Sequence, residues 1–145
     1  MCREEAAELA ALQPRFAAAG VPLIGLLHEK HKQWAVDEFK TFFDFPIYLD
    51  EEKRFFGPVE RRLGIMGMLR ASVYLNVYNA KQKNIKGNMK GDGTLLGAVY
   101  VIGPEDTGIL YEHREQEFGD HYNPAQLLEA VASIQRQKGI DKQEL

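Results

Sequence analysis

The sequence predicts an α/β sandwich: parallel strands crossed by helices, closed by an antiparallel hairpin and a last helix. Three observations carry this expectation. Residues 4–19 have helical spacing and run directly into Val21 to Leu27 (VPLIGLL), a short, nearly continuous apolar run that fits a strand buried on both faces. Leu95 to Ile102 and Ile109 to His113 are two more strand patterns, separated by the turn Gly103-Pro104-Glu105-Asp106-Thr107-Gly108. Asn123-Pro124 then opens a helix, with Asn123 as its cap and Pro124 at the first helical position.

The remaining elements follow in order. The first helix aligns Leu9, Leu12 and Phe16 on one face. Pro14 is expected to kink it by removing a hydrogen bond, and Gly20 to punctuate its end. Helical spacing returns over His31 to Phe43, with Val36, Phe39 and Phe43 aligned. Pro46 to Leu49 is a brief strand, and Asp50 caps a helix beginning at Glu51. Gly57-Pro58 divides that helix, with Pro58 starting a second piece toward Leu63.

Met66 to Ala80 is helical in spacing and apolar almost all round, and Lys81 to Gly93 is a basic, glycine-punctuated loop. The last helix buries Leu127, Leu128, Val131 and Ile134 and ends at Gly139. Residues 1–137 are thus expected to form one domain, followed by a polar tail over 138–145. The element order is that of a thioredoxin fold without its opening central strand, the strand that would lie between 21–27 and 95–102.

Composition sets the outer bounds. A chain of 145 residues that is 45% hydrophobic can build a single core. Its net charge of −3 gives no basic bias toward nucleic acid. No apolar run approaches the ~20 residues that span a bilayer, so no transmembrane segment is expected. One cysteine excludes an internal disulfide framework and a multi-cysteine zinc site.

That cysteine, Cys2, is the candidate catalytic residue. It stands at a helix start, where unpaired backbone N–H groups and the positive end of the macrodipole favour a thiolate. Arg3, Glu4 and Glu5 are read as a solvated first turn. His28 and His31 could share a helical face, but a structural zinc takes four ligands, so they are read as exposed loop histidines and no metal is expected. The loop bearing Lys81, Lys83, Lys86 and Lys90 lacks the glycine spacing of a dinucleotide site, so no cofactor is expected. Glu112, His113, Arg114 and Glu115 are read as a surface salt-bridge cluster at a strand end. Trp34, Tyr48 and Phe55 are read as core or core-edge residues.

Four segments also carry a family resemblance: CREEAAELAAL from Cys2, DEEKRFFGP from Asp50, the glycine-rich stretch Gly87 to Gly93, and YEHREQEFGD from Tyr111 to Asp120. Together they resemble the peroxiredoxin-like 2A family, the redox-regulatory, thioredoxin-like PAMM proteins, in one register from Cys2 to about Ile134. The resemblance implies a peroxiredoxin-like variant of the thioredoxin fold with antioxidant, redox-regulatory activity. It also implies a part in restraining osteoclast differentiation and macrophage inflammatory signalling. Location in the cytoplasm is expected, with secretion also open.

The family's redox centre is a Cys-x-x-Cys pair, and Cys2 matches its second member. The first member and the strand before it have no counterpart here, so the chain is expected to be truncated at its N-terminus. In relatives of the selenoprotein U type the first member is selenocysteine, whose codon can be taken for a stop. The expected reaction partner is a redox protein or a small peroxide or disulfide. Two other readings stay open: a non-enzymatic interaction module, and an NADPH-dependent prostaglandin or prostamide reductase like a sister branch of the family.

Overall fold

The computed structural model describes residues 2–30, 32–58, 60–62, 95–117 and 120–141, with the backbone alone at 2 and 138–141. Helix α1 spans Cys2–Ala18 and continues through Pro14. It ends in a glycine cap: Gly20 adopts φ 66°, the N–H of Gly20 donates to Ala17 O at 2.9 Å, and that of Val21 donates to Phe16 O at 2.9 Å. These bonds satisfy carbonyls that the helix end leaves open, in a backbone conformation glycine adopts without a Cβ clash.

The apolar run after α1 yields a shorter strand than expected. Strand β1 covers only Gly25–Leu27 and pairs in parallel with β2, Ile47–Leu49, in the register Gly25–Ile47, Leu26–Tyr48 and Leu27–Leu49. Pro22 carries no N–H for a ladder, and β2 offers only three residues to pair with. Helix α2, Gln33–Lys40, makes the crossover between them. Beyond its end, Phe43 is buried with its ring 6.0 Å from Phe39 and 5.2 Å from Phe45. It lies so close to β1 that a Cβ at position 25 would stand 3.1 Å from its ring, which accounts for the glycine there.

Two expected helices after β2 are replaced. Asp50 caps, as its chemistry suggests: its carboxylate accepts the N–H of Arg54 at 3.1 Å and of Phe55 at 2.9 Å. What it caps is a single 3-10 turn, Arg54–Phe56, because Lys53 sits in the left-handed region at φ 52° and interrupts any helix from Glu51. The Gly57-Pro58 bond is cis, and the described residues 60–62 are not helical. Arg62 forms an antiparallel bridge with Leu95, and Leu96 donates its N–H to Arg61 O at 2.9 Å. The helix expected at 66–80 and the lysine loop at 81–93 lie outside the described residues.

The hairpin is as expected. Strand β3, Ala98–Ile102, pairs antiparallel with β4, Ile109–Arg114, with an irregularity between Val101 and Ile102. Helix α3 spans Pro124–Asp141 and passes through Gly139 instead of stopping there. Asn123 Oδ1 accepts the N–H of Ala125 at 3.0 Å and of Gln126 at 3.1 Å, the cap foreseen from Asn-Pro.

The core lies where α1, α3 and the hairpin meet. Phe16 from α1, Ala19 just beyond its end, Val101 from β3, Tyr122, and Leu127, Ala130, Val131 and Ile134 from α3 form one buried cluster. Leu9, Leu12, Val99, Leu110 and Leu128 pack around it. The described strands thus form two two-stranded sheets, β1–β2 and β3–β4. This mixed α/β arrangement is a thioredoxin-like sandwich.

Candidate functional site

The first turn of α1 is not solvated, contrary to expectation. Arg3 is 8% and Glu4 is 4% exposed. Arg3 Nη1 donates to Glu38 Oε1 of α2 at 3.0 Å, and its guanidinium lies 5.4 Å from the centre of the Phe42 ring. Arg3 therefore ties the start of α1 to α2. Cys2 opens this same turn, at the N-terminal end of the helix where its backbone meets the dipole's positive end.

The other side of the turn faces the segment after β4. Glu5 is half-buried, and its Oε1 is sealed from solvent with no hydrogen-bond partner. Burial and then the charge of Glu115 push its carboxyl up to about 8; Glu8 and Asp120 push the same way, and a hydrogen bond from the Tyr122 backbone opposes them. Glu115 corrects a second expectation. It does not join a surface cluster but is only 8% exposed, with Oε2 accepting the Gly97 N–H at 3.0 Å. Burial raises its carboxyl above the usual range, and the Gly97 hydrogen bond works against that. The Tyr122 phenol is pushed up to about 12, by burial first and then by Glu8 and Glu5.

The neighbours of Glu115 divide between surface and interior. Glu112 and Arg114 form the foreseen exposed ion pair, while Arg114 Nη1 also donates to Gly57 O at 2.6 Å. His113 Nε2 lies 3.0 Å from Asp120 O and 3.6 Å from Asp120 Oδ1. Arg61 grips the open end of the hairpin, donating from Nη1 to Glu115 O at 2.8 Å and from Nη2 to Gly97 O at 3.0 Å.

The structure therefore gathers Glu5, Glu115, Asp120 and Tyr122 beside the helix start that carries Cys2. Reading the sequence in separate motifs missed this grouping, although a signal for it was present. Stepping back from Phe16 through Leu12 and Leu9 by alternating fours and threes reaches Glu5, so the core stripe of α1 ends in an acid.

The other candidates fall elsewhere. His28 meets the edge of Phe56 at 5.5 Å and sits 3.6 Å from Glu29, and His31 lies outside the described residues. Among the described residues no three His, Cys, Asp or Glu side chains gather to hold a metal ion. Trp34, Tyr48 and Phe55 are 47%, 58% and 41% exposed, so they are surface residues rather than core. Among the described residues no helix is long and apolar enough to cross a membrane.

Comparison with known proteins agrees with this architecture. Residues 8–117 match the family model described as AhpC/TSA antioxidant enzyme, in agreement with a thioredoxin-like fold. Peroxiredoxin-like 2A of Mus musculus is 44% identical over 137 residues, covering 94% of this chain and 62% of its own length. The Rattus norvegicus protein of that name is 43% identical over 143 residues, covering 99% of this chain and 62% of its own, and that of Bos taurus is 41% identical over 144 residues, covering 99% and 66%. The chain belongs to the peroxiredoxin-like 2A family. It spans less than two thirds of the length of these relatives. No solved structure matches it.

Proposed function

We propose that this chain carries the helix-borne half of a thiol redox centre, with Cys2 as the resolving thiol. The observation that supports this most is the position of the single cysteine at the first residue of α1, in a chain of an antioxidant-enzyme family. In the proposed cycle a sulfur or selenium supplied ahead of Cys2 attacks a peroxide, taking one oxygen and releasing an alcohol or water. The Cys2 thiolate then attacks that oxidised atom, displacing its oxygen as water and closing a disulfide or selenenylsulfide. An external dithiol, itself oxidised to a disulfide, returns the pair to the reduced state. The cytoplasm, where reduced dithiols are plentiful, is the proposed location.

The test is peroxide turnover by the protein extended upstream to include the family's first redox residue, against the same protein with Cys2→Ser. Turnover is expected to fall at least about tenfold in the variant, since the oxidised first residue is then resolved only slowly. Equal rates remove Cys2 from the mechanism.

The exposed aromatic side chains Trp34, Tyr48 and Phe55 favour a second reading, an interaction module acting without redox chemistry. Restraint of osteoclast differentiation and of macrophage inflammatory signalling that persists in full with Cys2→Ser would favour it over the thiol cycle.

A further inference from the structure

We propose that the N-terminal end of α1 is a pH-sensitive latch, closed against the segment between β4 and α3 while the Glu5 carboxyl keeps its proton and loosened as rising pH removes it. The inference goes beyond the thiol cycle and needs nothing from Cys2.

The two halves of α1 are held differently. The C-terminal half is anchored by apolar packing, with Phe16 in the core cluster and Leu9 and Leu12 against it. The N-terminal end is closed largely by charged side chains, Arg3 and Glu4 being buried there. On the α2 side Arg3 Nη1 donates to Glu38 Oε1 at 3.0 Å. On the other side Glu5 reaches the segment between β4 and α3 and accepts a hydrogen bond from the Tyr122 backbone. Its Oε1 is sealed from water and has no hydrogen-bond partner among the described residues. A neutral carboxyl tolerates that place. A carboxylate needs water or a donor for the sealed oxygen, and outward movement of the turn supplies water.

The groups around Glu5 add to this pressure. Glu8 on α1, and Glu115 and Asp120 after β4, are acids that disfavour its charge. Glu115 is itself buried, with Oε2 held by the Gly97 N–H at 3.0 Å. The histidines of this region lie against other acids: His113 Nε2 is 3.6 Å from Asp120 Oδ1, and His121 Nδ1 is 3.7 Å from Glu8 Oε2. The Tyr122 phenol, pushed up to about 12, stays neutral through the range concerned. Burial and then Glu115 carry the Glu5 carboxyl up to about 8, against 4.5 for the free group. Closure is therefore fully supported below about pH 4.5, weakens as pH rises, and levels off above about 8.

Amide hydrogen exchange reads the latch. The N–H groups of residues 6–9 bond back to the first turn of α1, and those of residues 127–131 lie in α3. Protection at 6–9, corrected for the intrinsic exchange rate at each pH, is expected to fall by about tenfold or more between pH 6 and 8.5. It is also expected to be lower than at 127–131 and insensitive to sub-denaturing urea, the mark of local opening. With Glu5→Gln the fall with pH disappears.

Protection at 6–9 that is flat with pH overturns the inference, as does a fall that persists in folded Glu5→Gln. So does protection at 6–9 that equals that at 127–131 and responds alike to urea, since the end of α1 then opens only with the whole fold. If Glu5→Gln does not fold, the carbon-13 resonance of the Glu5 carboxyl in the unchanged chain decides in its place. A midpoint near 8 supports the latch, and one below about pH 6 overturns it.

Discussion

The two ends of the molecule treat charge in opposite ways. Around α2 and β2, ion pairs stand in water: Lys30 Nζ meets Glu51 Oε1 at 2.7 Å with both side chains largely exposed. Where α1 meets β4 and α3, acidic groups are folded into the edge of the core, and Glu5 and Glu115 lie against Tyr122 and Gly97. Lys30 is raised and Glu51 lowered by their mutual hydrogen bond, the pattern of groups held charged. Glu5 and Glu115 are both raised, by burial first, the reverse of the lowered Glu51. The difference teaches that, among the described residues, the carboxyl carried up to about 8 lies at the α1–β4 end.

That contrast can be broken in three ways. The largest effect belongs to the core that the α1–β4 end shares. Leu127 is 2% exposed, and Leu127→Ala is expected to cost about 2–5 kcal/mol in a urea titration. A loss well under 1 kcal/mol would mean that the cluster joining α1, α3 and the hairpin does not bear the fold.

The second effect is the pH slope. Glu5 rises from 4.5 unfolded to about 8 folded, so the native state binds the extra proton between those values. Stability is therefore fully supported by the neutral carboxyl below about pH 4.5, falls as pH rises toward 8, and levels off above. The fall is at most about 5 kcal/mol, one pKa unit being worth about 1.36 kcal/mol. Glu5→Gln is expected to flatten this slope and to unfold at higher urea than the unchanged chain at pH 8.5. An unchanged slope would transfer the titration to another group.

The smallest effect is at the other end. Lys30→Ala breaks an ion pair that is wholly in solvent, and no measurable change in the urea midpoint is expected at physiological salt. A clear loss there would erase the distinction between the two regions.

Much of the fold was legible because local chemistry and burial agreed. Asn123-Pro124 capped and opened α3 as its residue types dictate, and Leu127, Val131 and Ile134 are buried at helical spacing. The hairpin was legible from its turn. Reading failed where long-range contacts set the outcome. The run Val21 to Leu27 has strand character throughout, yet only the three residues facing β2 are paired. Asp50 was recognised as a cap, but the length of what it caps was decided by Lys53 in the left-handed region.

The candidate site was less legible than the fold. The REE and EHRE motifs lie far apart in sequence and read separately as solvated charge. Only the folded chain brings Glu5 against Glu115, because α1 and the hairpin share one core. The aromatic residues failed in the opposite sense, since hydrophobic size placed Trp34, Tyr48 and Phe55 in the core or at its edge and the surface has them.

The grip of Arg61 on the carbonyls of Gly97 and Glu115 has a consequence of its own. Because it seizes main chain, it is indifferent to which side chains stand at 97 and 115 but exacting about its own fork of donors. A lysine there brings one ammonium to two oxygens and releases the strand ends to drift apart. The stretch before position 63 thereby works as a bolt on the mouth of the hairpin, and whatever loosens that bolt also unsettles the acid behind it.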